Sequence, residues 1–141
     1  MMELSQKYNI KQFSAYNVNF DLRALNNTAW TYLGYELDFS SYDIVCIQEL
    51  AASTLMTQKG YARFCQEHDL MTEKGWMSQK AENVYRYLLN CPTYIEEHTG
   101  LADVQIEIAI MARAYRQKKK VIKGSTNYQF LNKFHGIARK G

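Results

Sequence analysis

The sequence offers no uninterrupted apolar run of the roughly 18 residues that a membrane span requires. Its N-terminus has no apolar segment of the secretory kind either, because Glu3, Gln6 and Lys7 interrupt it. These absences predict a cytoplasmic protein with no membrane partner. Cysteine is scarce: Cys46, Cys65 and Cys91 are odd in number, far apart and without a Cys-x-x-Cys pairing. That argues against a disulfide framework and a zinc knuckle, and predicts buried thiols in a reducing compartment. There is no internal repeat and no low-complexity tract.

What is present fits one globular domain spanning 1–141. The 141 residues are 47% hydrophobic and 22% charged, enough for one ordinary core and too few for two. Net charge is only +3, but its distribution is uneven. Arg113, Arg116, Lys118, Lys119, Lys120 and Lys123 fall within eleven residues that contain no acid. Such a patch can meet phosphate, although cations at a helix C-terminus are also favoured by the dipole alone.

Hydrophobic patterning predicts an α/β chain. Gln12 to Tyr16 reads as a short strand, Phe20 to Tyr32 as a helix carrying Phe20, Leu22, Leu25 and Trp30, and Gly34 as its stop. Tyr42 to Ile47 is an apolar run with the character of a buried strand, which completes a short βαβ core. The C-terminal half is helix-rich: Ala51 to Gln58, Tyr61 to His68, Gln79 to Leu89 and Leu101 to Lys118, with breaks at Gly60, Gly75 and Pro92. In the last of these, Val104, Ile108, Met111 and Tyr115 form a stripe and Ile106, Ile110 and Ala114 extend it, predicting a core helix. Residues 124–141 form a basic C-terminal tail: a turn, a short helix around Tyr128 to Phe134 and a loose end.

Few residues are placed for chemistry. Asp21 follows a strand end marked by Asn17, the part of an open α/β sheet where ligands gather. His98 and Asp103 flank the start of the 101–118 helix. Acids at helix N-termini also serve the macrodipole and cap free N–H groups, and Thr99 or Asp103 suffices for that here. Capping does not require His98. His68 and the tyrosines at 85, 87, 94 and 115 read as a solvated helix end and as core or base-stacking residues respectively.

The segment Asn17-Val18-Asn19-Phe20-Asp21 resembles the second motif of the DEDDh 3′-to-5′ exonucleases, Asn-x-x-Phe-Asp. His98-Thr99-Gly100-Leu101-Ala102-Asp103 resembles their third, His-x-Ala-x-x-Asp, with glycine in the alanine slot. Glu96 to Val104 is similar to the closing-helix start of small phage-type members of this RNase H-like superfamily. The resemblance runs from about Gln12 to Arg116. It implies a truncated RNase H-like fold, Asp21 and Asp103 as ligands of Mg²⁺ or Mn²⁺, and His98 as general base. It also implies a DNA or RNA 3′ end as substrate, and the host cytoplasm as the place of action for a phage-encoded chain. Asn17, Phe20, Arg113, Arg116, Lys119 and Lys120 are the candidate nucleic-acid contacts.

One motif of the family is missing. Only sixteen residues precede Asn17, Glu3 is the sole acid among them, and no Asp-x-Glu strand is present. Two adjacent divalent ions are held poorly by two carboxylates, so the site is expected to be incomplete in this chain. A separate N-terminal segment would complete it, and that segment or a second copy of the chain would pair with an exposed sheet edge; a binding module without hydrolysis is the alternative. Asp43 to Glu49 also resembles the Asp-Ile-Val-x-x-Gln-Glu strand of the exonuclease-endonuclease-phosphatase superfamily, which makes Glu49 a lesser candidate for the cleft.

Overall fold

The computed structural model describes residues 2–137. It is a mixed α/β chain of helices and one two-stranded parallel sheet, divided into two compact units, Met1–Cys46 and Ile47–Gly141.

In the first unit, helix α1 (Met2–Lys7) precedes strand β1 (Gln12–Ala15), helix α2 (Val18–Leu33) and strand β2 (Asp43–Cys46). The strands pair in parallel from Gln12 opposite Asp43 to Ala15 opposite Cys46. Parallel neighbours require a crossover, and α2 supplies it, giving the expected βαβ unit. Gly34 ends α2 in the left-handed region at φ 74°, where its N–H bonds to the Trp30 carbonyl and a side chain would be strained. Asn26 Oδ1 then accepts from the Leu37 N–H at 2.9 Å and ties the returning chain to the helix. Packing is sparse: among the described residues of this unit only Val18 and Ala29 are fully buried. The apolar pattern expected along α2 is split, with Leu22 and Leu25 half-buried but Phe20 and Trp30 exposed. Helix α1 is not among the elements expected from the sequence.

The second unit begins without a loop. Strand β2 stops at Cys46, and Ile47 already opens helix α3 (Ile47–Thr54), where the sequence predicted a strand through Ile47 and a helix only from Ala51. Gln48, Glu49 and the alanines behind them are good helix formers, and burial of Ile47 and Leu50 on one face outweighs the β-branched start. Helices α4 (Lys59–Glu67), α5 (Ala81–Leu89), α6 (Gly100–Arg116) and α7 (Tyr128–His135) follow. Their core gathers Leu55, Met56, Tyr61, Met77, Val84, Ile110 and Leu131, all at 1% exposure or less.

Helix α6 packs on α3 and α5, but not with the stripe expected of it. Ile106, Ile110 and Ala114 are buried, whereas Val104, Ile108 and Tyr115 are about half exposed. Residues four apart share a helix face, so the two sets compete for the core, and the row ending in the small Ala114 wins. The helix is amphipathic by position rather than by composition.

Residues beyond α6 are pinned. Ser53 Oγ accepts from the Ile122 N–H at 2.8 Å and lies 2.9 Å from Ser125 Oγ. Asn132 Nδ2 donates to the Gly75 carbonyl at 2.7 Å, and His135 Nε2 lies 2.7 Å from the Met56 carbonyl. The described part of the expected basic tail is therefore a turn and a docked helix; its end, residues 138–141, lies outside the described residues. Of the three cysteines, only Cys65 is fully buried, and burial pushes its thiol up to about 11, an unreactive value. Cys46 and Cys91 are half-buried free thiols, which corrects the expectation for those two. Among the described residues no helix is long and apolar enough to cross a membrane.

Candidate functional site

In the first unit, Asn17 stands between β1 and α2 with φ 57°, a left-handed conformation that asparagine tolerates better than most residues. Its side chain makes no cap bond. The turn at Asn17 lets the chain enter α2 directly from the strand, and it sets Asp21 in the first helical turn. The Asp21 carboxyl is raised from its ordinary value by partial burial, opposed by a hydrogen bond from its own backbone. Phe20 beside it is 60% exposed, so its ring is available to a ligand.

In the second unit, the connection from α5 to α6 is fastened by a small polar lattice. Arg86 donates from Nε to the Tyr94 carbonyl at 2.7 Å and from Nη1 to Asn83 Oδ1 at 2.9 Å. Its Nη2 pairs with Glu82 at 3.3 Å, one helical turn away. Glu82 Oε1 in turn accepts the Glu96 N–H at 2.9 Å. The guanidinium and its carboxylate thus hold residues 94–96 against α5 at two points.

That placement puts the Glu96 side chain in hydrogen-bond contact with Asp103. The Glu96 carboxyl is raised from its ordinary value, first by this bond, then by desolvation and by the Asp103 charge, with His98 pulling the other way. His98 Nδ1 lies 4.0 Å from Glu96 Oε2. Thr99 caps α6, accepting the Ala102 N–H at 3.1 Å. The cap is therefore already satisfied without Asp103, whose carboxyl is turned to Glu96 instead. His98 adopts φ 52°, and its side chain is 78% exposed. A non-glycine residue held in that region is strained, a condition that recurs at working sites.

Glu96 is the residue that sequence reasoning missed. It sits inside the Glu96 to Val104 segment, but nothing in the spacing shows that the chain turns back to bring it onto the first turn of α6. The signal that could have found it is the left-handed turn that a polar residue before Thr99-Gly100 permits.

The arrangement offers two hard oxygen donors in contact, suited to one small divalent ion whose other positions go to water or phosphate. It is short of a two-metal set: among the described residues no group of three or more His, Cys, Asp or Glu side chains is placed to hold a metal. Asp21 belongs to the other unit. Arg113 and Arg116 stand exposed in the last turn of α6, with Lys119 and Lys120 exposed just beyond it. Glu49 is half-buried in the first turn of α3 rather than at a strand end.

Comparison with known proteins finds no matching family model, no matching curated protein and no matching solved structure.

Proposed function

We propose that the chain is the larger part of a metal-dependent DEDDh-type 3′-to-5′ exonuclease with a truncated RNase H-like fold, acting on DNA or RNA and completed by a segment bearing Asp-x-Glu. The observation that carries this reading is the Glu96–Asp103 carboxyl pair with His98 alongside. Helix capping does not account for it, and two acids in contact cost stability unless a proton or a cation lies between them. Mg²⁺ or Mn²⁺ bound there would draw charge from the scissile phosphate and acidify a water. Asp103 would hold such an ion, with Glu96 as a further donor, and Asp21 in the first unit is the other carboxylate that the resemblance assigns to metal. His98 would take the proton as the water oxygen attacks phosphorus and the bond to the 3′ oxygen breaks.

Further support comes from the sheet. Two strands leave the outer edges of β1 and β2 without a partner strand among the described residues, which is where a completing segment or a second copy would pair. The exposed Phe20 would stack on a terminal base, Asn17 would contact the sugar-phosphate beside it, and Arg113, Arg116, Lys119 and Lys120 would follow the phosphate backbone. The test is the loss of a 3′-terminal label from DNA and RNA with Mg²⁺ or Mn²⁺, using the chain alone and the chain with an Asp-x-Glu segment supplied. Cleavage in the second mixture, abolished by Asp21→Ala and by Asp103→Ala, is expected; no cleavage in either sinks the reading.

A nucleic-acid binding module without hydrolysis is favoured by one observation, the shortage of metal-holding groups among the described residues. It is distinguished by binding that survives Asp21→Ala and Asp103→Ala while no label is lost in any mixture.

A further inference from the structure

A cavity of about 400 Å³ opens between α4, α5 and α6, within the second unit and apart from Glu96, His98 and Asp103. Its size is that of a small-molecule site. Arg63 from α4 and Arg113 from α6 both line it, and among the described residues neither guanidinium has an ion pair or a hydrogen bond, although Glu67 lines the same cavity. Two arginines from different helices thus share one cavity with a single carboxylate, which leaves it a net positive charge. Planar guanidinium groups match phosphate oxygens in pairs, which a single ammonium cannot do.

The wall between them is aromatic. Tyr87 runs along the cavity with its hydroxyl donating to Gln58 Oε1 at 2.7 Å. A Cβ on Gly60 would come within 2.9 Å of that hydroxyl, so the glycine makes room for the ring. The charge of Arg113 reaches the same hydroxyl, opposing the upward push of burial on its pKa. His68, exposed at the end of α4, rests its ring 4.6 Å from Phe64 and offers its outer surface to a further ring.

We infer that this cavity binds a nucleoside 5′-monophosphate, the phosphate held by Arg63 and Arg113 and the base laid on His68. Flat π-faces accept any base, and charged groups fix the phosphate end, so the site would prefer the intact nucleotide over either half of it. The inference goes beyond the exonuclease reading and does not depend on it: none of the proposed metal ligands lines the cavity, and Arg113 is the one residue that serves both readings.

Calorimetric titration of the full chain with deoxyadenosine 5′-monophosphate, with chelator present so that no divalent ion takes part, tests it directly. Saturable binding is expected, weakened by about tenfold or more in each of Arg63→Gln and Arg113→Gln, the loss of one charged hydrogen bond. His68→Ala is expected to weaken it by a similar factor, about that of one stacked base. Because Arg63, His68 and Arg113 are exposed, circular dichroism of the variants should be unchanged. Absence of binding, equal affinity in the arginine variants, or equal affinity for deoxyadenosine or inorganic phosphate overturns the inference. Failure of the label-release experiment leaves these outcomes untouched.

Discussion

Replacing Glu96 by glutamine separates the effects that the carboxyl pair combines. In the native chain Glu96 is raised above its ordinary value of 4.5, chiefly through its bond to Asp103. A carboxyl raised in the folded state binds more protons there than in the unfolded chain. The stability it contributes is complete below 4.5 and is lost as pH rises through the raised value. Above the raised value the Glu96 charge faces Asp103, and two unit charges at a contact separation of about 4 Å repel by about 1 kcal/mol in water and about 4 kcal/mol at an effective dielectric of 20. The open flank at His98 favours the lower figure, so the native chain should lose about 1 kcal/mol between pH 5 and pH 8. For a unit of this size that is about 4–8 °C in Tm. Glutamine keeps the backbone bond to Glu82 and donates an amide hydrogen to Asp103 at every pH. Glu96→Gln should therefore remove this loss and exceed the native Tm at pH 8. Thermal unfolding followed by circular dichroism at both pH values measures the difference directly. Manganese offers a second readout: in a hundredfold excess over its Kd it would add about 2.7 kcal/mol to the native chain, and much less to the variant. If native and variant chains lose equal stability between pH 5 and pH 8, the pair is not as described. If manganese raises both alike, the pair is not its site.

At position 98 the left-handed backbone and the imidazole can be tested apart. His98→Gly should match or exceed native stability by up to about 1 kcal/mol, and His98→Ala should fall below His98→Gly, because only glycine is unstrained there; chemical denaturation ranks the three, and label release in the completed mixture should vanish in both variants. Along α6, Ile110→Ala should cost about 2–5 kcal/mol as a core truncation, while Ile108→Ala should stay within about 0.5 kcal/mol. Equal costs would mean that the buried row of α6 is wrongly identified.

The parts legible in the sequence are those with a strong local signal. β1, α2 and β2 announced themselves by a short strand, a helix stopped at Gly34 and an apolar strand, and parallel pairing follows from the crossover between them; β2 is exposed at Asp43 and Ile44 and half-buried at Val45 and Cys46, so it is not the buried strand expected. α5 and α7 fell where the breaks at Gly75, Pro92 and Gly124 put them, whereas Gly60, expected as a break before a helix from Tyr61, lies inside the first turn of α4. What stayed hidden depended on tertiary choice. α6 carries apolar side chains on two faces, and periodicity cannot say which row the rest of the unit will cover. The start of α3 at Ile47 was masked by β-branched residues whose burial, not their propensity, decides the local structure. At the candidate site, His98 and Asp103 were visible by spacing, whereas Glu96 depends on the Arg86–Glu82 fastening of residues 94–96, a contact between segments that no local pattern encodes.

The sparse interior of the first unit has a consequence for how the chain opens. With Val18 and Ala29 its only fully buried side chains among the described residues, residues 2–46 have little free energy to lose on local melting, whereas α3 to α7 close over a dense interior. Amide exchange should follow that division, with the parallel ladder and α2 exchanging through sub-global openings and the Ile106, Ile110 and Ala114 row only through complete unfolding. Asp21 is thus carried by the half of the chain that is least costly to rearrange, and Asp103 by the half that is most costly. Anything that binds through Asp21 would be felt first as slowed exchange in the β1–α2–β2 ladder.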